Sequence, residues 1–329
     1  MNRRTLIQGG AAALALGALG VGAFVQRRRG QDARMSEAIT EAWPELGEGI
    51  FWLKPNLDDA RMVVPDRPHS KEESRVGGFG RTRTFHVSTN SLRLRNGPLG
   101  AKSGKRILCM GDSVTFGWGV PDDQSYPVQL ERELRARGHD VEVLNAGVPA
   151  QSIFGMKRFV EMQAAALDVD AVLWTRRPQL NLPSPIGDYV RELRHAQNAL
   201  PNAKFGVVLT PVSRFDPYGV AHYADEEKEL RRKLTVPLVE LSPVFFRAQT
   251  KGVVCEGLDQ LTMKHWDGRV IEQAPRPEFD LPPSFYAAFE ADHDLKEHLF
   301  FDSGHPDAEG FTLFARTVAD LVEDNGWLG

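Results

Sequence analysis

Five short apolar runs, each followed by a stretch with helical periodicity, pace the chain from Arg106 to Leu241. The runs fall at 106–110, 141–145, 171–174, 205–209 and 237–241. Helical patterns follow at about 125–137, 152–167, 187–199 and 222–234, with a last one at about 307–324. Consecutive apolar residues, rather than strict alternation, suit central parallel strands buried on both faces. Strand–helix alternation then places helices on both sides of one sheet. The expectation is an α/β chain of three layers, α/β/α, around a parallel sheet of about five strands. In such sheets ligands bind beyond the carboxyl ends of the strands.

The first run ends in Gly111-Asp112-Ser113. A serine hydroxyl is a weak nucleophile and needs a base to take its proton. Gly111 permits a tight turn out of the strand, and N–H groups of the turn after it can face developing negative charge. Taken alone, the same three residues also make an ordinary turn and helix cap. A second segment, Phe300-Phe301-Asp302-Ser303-Gly304-His305-Pro306, stands just before the last helix. An Asp and a His three apart can share a turn. His305 would act as base toward Ser113 and then as acid toward a leaving group, with Asp302 fixing the imidazole tautomer. Taken alone, this spacing is common by chance.

In order along one chain, the two segments resemble the SGNH (GDSL) hydrolase family. The likeness rests on Ile107-Leu108-Cys109-Met110-Gly111-Asp112-Ser113-Val114-Thr115-Phe116-Gly117 and on Asp302 through Gly310. Asn145-Ala146-Gly147-Val148 looks like the family's second block, and Asn90-Ser91-Leu92-Arg93-Leu94-Arg95 is similar to a stretch upstream of the serine in membrane-linked members. The resemblance covers about 105–180 and 300–325. It implies a flavodoxin-like SGNH fold, a Ser113–His305–Asp302 triad, an acyl-enzyme intermediate and no cofactor. It also implies an oxyanion hole built from the Ser113 N–H, a second-block N–H and an Asn side chain after the third strand. The second-block donor aligns with Ala150, with Gly147 as the alternative. The family's G-x-N-D has no counterpart in Trp174-Thr175-Arg176-Arg177-Pro178-Gln179-Leu180-Asn181. Asn181, Gln179 or Arg177 is left to supply that donor, or the donor is lost.

Other clusters point less clearly to chemistry. His293 and His298 with Asp292, Asp294 and Glu297 fit no tight metal-ligand spacing and read as a solvated charged segment, so no metal is expected. His265 beside Trp266 and Asp267 reads as a surface loop. Arg176-Arg177 suits either an anionic substrate or pairing with loop carboxylates. Trp118 suits core packing or a substrate wall. The two cysteines, Cys109 and Cys255, form no zinc motif, and a net charge of −4 without a basic stripe excludes nucleic acid as an expected partner.

The N-terminus reads separately. From Thr5 to Gln26 there is no charged residue, and such a run, as a helix, can cross a hydrocarbon core of about 30 Å. Arg3 and Arg4 before it resemble a twin-arginine export signal, while Arg27, Arg28 and Arg29 follow it. Residues 1–29 are therefore expected to be a signal or membrane anchor, 30–104 a linker and lead-in, and 105–329 the catalytic domain with an irregular insertion at about 247–298. The expected function is ester hydrolysis on the extracytoplasmic side of the envelope, anchored, or periplasmic or secreted if the signal is cut. The substrate would be a small-molecule or carbohydrate ester, with O-acylated carbohydrate suggested by the resemblance. A carbohydrate O-acyltransferase and a binding or assembly protein without turnover are the alternatives, with a cytoplasm-facing lipid esterase a further one.

Overall fold

A computed structural model describes residues 36–47, 50–66, 81–177, 186–211, 227–249, 253–256, 260–265, 270–275, 299–301 and 304–329. The chain divides into two compact units, Met1–Ala38 and Ile39–Gly329. The apolar run at 5–26 lies outside the described residues. Among the described residues no helix is long and apolar enough to cross a membrane.

The second unit opens with two antiparallel hairpins. Strand β1 (Thr40–Ala42) pairs with β2 (Phe51–Leu53), and β3 (Ala60–Asp66) with β4 (Arg81–Val87). The sequence reads helical over 30–45 and irregular over 54–84 apart from a short strand near 84–88, so these hairpins are a difference. Their strands are short or far from their partners, and cross-strand pairing rather than local propensity decides them. Trp52 of β2 is buried, with its ring edge-on to Phe159 at 6.4 Å. Strand β2 is thus packed against the residues that follow the second main strand.

The main sheet holds β5 (Lys105–Gly111), β6 (Val141–Gly147), β7 (Ala171–Arg176), β8 (Lys204–Leu209) and β9 (Leu238–Glu240), all parallel. Their order in space is β6-β5-β7-β8-β9. Side chains alternate between two cores, as the pleat requires. Leu108, Met110, Leu144, Ala146, Val172, Trp174, Val207 and Leu209 enter one. Ile107, Cys109, Val141, Val143, Leu173 and Val208 enter the other. Burial on both sides is why these strands are apolar runs.

Beyond β5 comes a single-turn helix, α1 (Ser113–Phe116), and then α2 (Tyr126–Ala136). After β6 and β7 come α3 (Ile153–Met162) and α4 (Ile186–Ala199). Residues 227–233 are helical, and α5 (Ser242–Gln249) and α6 (Ala308–Asp324) follow among the described residues. Helices α3 and α4 cover the first core through Met156, Phe159, Tyr189 and Leu193. Helices α2 and α6 cover the second through Leu130, Leu134, Phe311, Phe314 and Val318. The result is the expected three-layer α/β/α architecture. Within the segment expected to be irregular, β10 (Val253–Glu256), β11 (Gln260–His265) and β12 (Val270–Pro275) form an antiparallel sheet. There too, pairing between strands overrides a sequence dense in turn formers.

Strand order reverses at β5, whose two neighbours are β6 and β7. The carboxyl end of β5 is therefore a topological switch point, where a crevice for ligands is expected.

Candidate active site

Ser113 is the first residue of α1, immediately past that switch point. Asp112 caps the helix: its side chain accepts from the Val114 N–H at 3.0 Å, and its carbonyl from the Phe116 N–H at 2.9 Å. Gly111 is required by close approach. A Cβ there would stand 1.7 Å from Thr175 Oγ1 and 2.1 Å from Thr115 Oγ1. Those hydroxyls lie 2.8 Å apart, and Thr175 also donates to the Met110 carbonyl at 2.8 Å. The serine turn is thus bolted to the end of β7.

The other side of the turn is held by β6. Asn145 donates to the Phe116 carbonyl at 3.2 Å and accepts from the Gly147 N–H at 3.0 Å. That N–H is engaged inside the scaffold, which leaves Ala150 as the second-block candidate for an oxyanion donor. Ala150 is exposed and has φ 61, in the left-handed region. An alanine held there costs about 1–2 kcal/mol. The strain is retained because the loop is fixed on either side. Gln151 donates its N–H to the Val148 carbonyl at 3.1 Å and its side-chain amide to the Phe51 carbonyl at 2.6 Å. Strand β2 therefore braces the loop that carries Ala150.

His305 arrives from the opposite end of the chain. Phe300 and Pro306 form an isolated antiparallel bridge, and Phe301 N–H donates to the His305 carbonyl at 3.2 Å. Asp307 then caps α6 by accepting from the Gly310 N–H at 2.9 Å. Burial pushes the Asp307 carboxyl above its usual range, opposed by that N–H and by the charge of Arg83. The His305 ring stacks on Phe301, 5.8 Å between centroids and 20° between planes. Trp118 lies behind it at 6.5 Å and is buried, a core residue that backs the imidazole. With the ring so placed, its Nε2 is 2.8 Å from Ser113 Oγ. That is hydrogen-bond distance for a base that takes the serine proton.

Not every residue singled out from the sequence is placed. Asp302, Asn181 and Gln179 lie outside the described residues, as do His293, His298 and their neighbouring carboxylates. Among the described residues no group of three or more His, Cys, Asp or Glu could hold a metal. Cys109 is buried in the second core, and burial pushes its thiol up to about 12, so it offers no thiolate. Arg176 lies over the Tyr189 ring, 4.9 Å from its centroid. Arg177 instead lies against Gly304, the residue before His305. Its guanidinium fills the space where Gly304 lacks a side chain: a Cβ there would be 1.6 Å from Nη2.

Sequence reasoning missed Arg95, which is fully buried. Its guanidinium donates to the carbonyls of Phe116, Gly117 and Val120 at 2.7, 2.8 and 2.7 Å, to that of His86 at 3.2 Å and to Asp122 at 2.7 Å. Burial lowers its pKa, and Asp122 opposes the shift. The only signal for it was its place in the stretch upstream of the serine.

No protein-family model and no curated protein sequence matches the chain. Solved structures are similar in part. A lipase/acylhydrolase from Enterococcus faecalis is 12% identical with a TM-score of 0.44, covering 67% of this chain and 96% of that one. The structure of TesA is 15% identical with a TM-score of 0.41, covering 67% and 99%. The acetyl xylan esterase AlAXEase is 15% identical with a TM-score of 0.44, covering 66% and 99%.

Proposed function

We propose that the chain is a serine ester hydrolase acting through a Ser113–acyl intermediate. One observation carries the reading: Ser113 Oγ lies 2.8 Å from His305 Nε2 at the carboxyl end of β5. Ser113 attacks the ester carbonyl carbon while its proton passes to Nε2. The C–O bond to the alcohol breaks, and the alcohol leaves with the proton from Nε2. Water then attacks the acyl-enzyme with His305 again as base, releasing the carboxylic acid and restoring the serine. Asp302 is assigned as the partner that fixes the imidazole, from its place in the family's motif. The developing oxyanion is met by the N–H groups of Ser113 and Ala150, with Asn181 as the proposed third donor. Loss of one such donor costs about 10²–10³ in kcat, so two would still support turnover.

O-acylated carbohydrate is the proposed substrate class, and the extracytoplasmic face of the envelope the proposed location, tethered or exported through residues 1–29. Both rest on the sequence: the family resemblance and the uncharged run from Thr5 to Gln26. Protease protection of intact cells against broken ones tests the location.

The activity is tested with a short-chain aryl ester and a serine-directed fluorophosphonate. The wild type is expected to hydrolyse the ester and to take the label on Ser113. Ser113→Ala is expected to lose the label and at least about 10³ in kcat, with His305→Ala falling comparably. Equal behaviour of wild type and Ser113→Ala would falsify the assignment. A folded wild type inert to both reagents and to acylated glycans would replace it with the binding-protein reading.

A further inference from the structure

We infer that Arg177 makes this site selective for esters whose alcohol part carries an anionic group; the inference rests on the esterase reading and names its substrate class. Two features of the site support it, one of position and one of charge.

Position comes first. Arg177 follows the end of β7, the strand bordering β5 on the side away from β6. Ala150 follows β6 and so approaches Ser113 from the opposite side. The guanidinium lies against Gly304, in the notch left by the absent side chain, and the next residue is His305. His305 is the group that hands its proton to the departing alcohol. A cation seated beside it therefore faces the leaving-group half of the substrate rather than the carbonyl oxygen.

Charge comes second. Several described charged groups around the serine and histidine turns are already committed. Asp112 accepts from Val114 N–H, and Asp307 from Gly310 N–H. Arg83 lies over the Phe301 ring, 4.7 Å from its centroid, on the loop that leads to His305. Arg176 lies over Tyr189. Among the described residues no carboxylate lies within ion-pairing distance of Arg177, which is half-buried. A half-buried guanidinium with no carboxylate partner among the described residues suits a ligand's carboxylate or another oxyanion, which it meets with two parallel hydrogen bonds.

The test compares 3-acetoxybenzoate with 3-acetoxybenzamide, two acetate esters of similar shape whose alcohol parts differ by one charge. In the Ser113→Ala protein, which holds esters without turning them over, calorimetry is expected to show the benzoate binding at least about tenfold tighter than the benzamide. Adding Arg177→Gln is expected to reduce that ratio to near one. Arg177→Lys is expected to keep part of it and to lose that part as salt is raised. In the Ser113-intact protein, kcat/KM for the two acetates, each divided by its hydroxide-catalysed rate, is expected to show the same ratio and the same response. A ratio near one in Ser113→Ala, or a ratio unchanged by Arg177→Gln, overturns the inference. Failure of the esterase reading looks different: acetate release that does not depend on Ser113, whatever the binding ratio.

Discussion

Ala150 is a residue in a conformation that its side chain disfavours, at the position proposed for an oxyanion donor. Its φ of 61 is one that glycine adopts without steric cost. Ala150→Gly is therefore expected to raise stability by up to about 1 kcal/mol, read as a higher Tm, with ester hydrolysis retained. A fall in Tm would show that the loop draws its shape from elsewhere. The contrast with Ser113 and His305 shows what the sequence could and could not tell. Those two stand in local motifs, and the structure brings them to 2.8 Å. Ala150 could be aligned with a family position, but an alanine gives no hint of a left-handed backbone, because it resists one. Gly147 drew attention as a glycine, yet its N–H is satisfied by Asn145, a contact that no sequence pattern reports.

At the scale of elements, α1 is too short to be stable alone, since isolated helices this short do not form in water. It is held by what surrounds it. Arg95 places its guanidinium against the carbonyls of Phe116, Gly117 and Val120, where the chain leaves the helix. A cation at a helix C-terminus also complements the helix dipole. Arg95→Met is expected to cost about 1–3 kcal/mol, because several buried carbonyls lose their donor together. Arg95→Lys, with one charged centre in place of a planar fork, is expected to recover only part of that in a denaturant titration. In both variants the rate of Ser113 phosphonylation is expected to fall with the Tm. The central strands were legible as elements because burial on both faces makes them apolar runs. Strands β1 to β4 were mostly not, because their stability lies in pairing with each other and in contacts such as Trp52 on Phe159. The sheet of β10, β11 and β12 was hidden for the same reason.

Across the whole molecule, the two ends of the main sheet do different work. At the end opposite the serine, Asp170 accepts from the Arg106 N–H at 2.8 Å and pairs with Lys102 at 2.8 Å and Lys105 at 3.4 Å. Burial pulls its carboxyl up, but Lys102 and the Arg106 N–H outweigh it and hold the pKa below the usual carboxylate value. A depressed carboxylate contributes stability above its unfolded pKa of about 4 and loses it as pH falls through the lower folded value. Asp170→Asn is expected to be about 1–2 kcal/mol less stable than wild type at pH 7, a gap that closes below about pH 4. Its ester hydrolysis at pH 7 should be unchanged, since it sits across the sheet from Ser113. That separation of ends has a counterpart along the chain. Ser113 and His305 are 192 residues apart, and α6 begins only three residues after the histidine. During synthesis the serine turn and all five main strands leave the ribosome well before the imidazole does. A chain arrested short of His305 would hold the whole main sheet and stay inert to phosphonate. Reactivity of Ser113 therefore times the docking of the last helix, a long-range closure of the kind that sets slow folding steps.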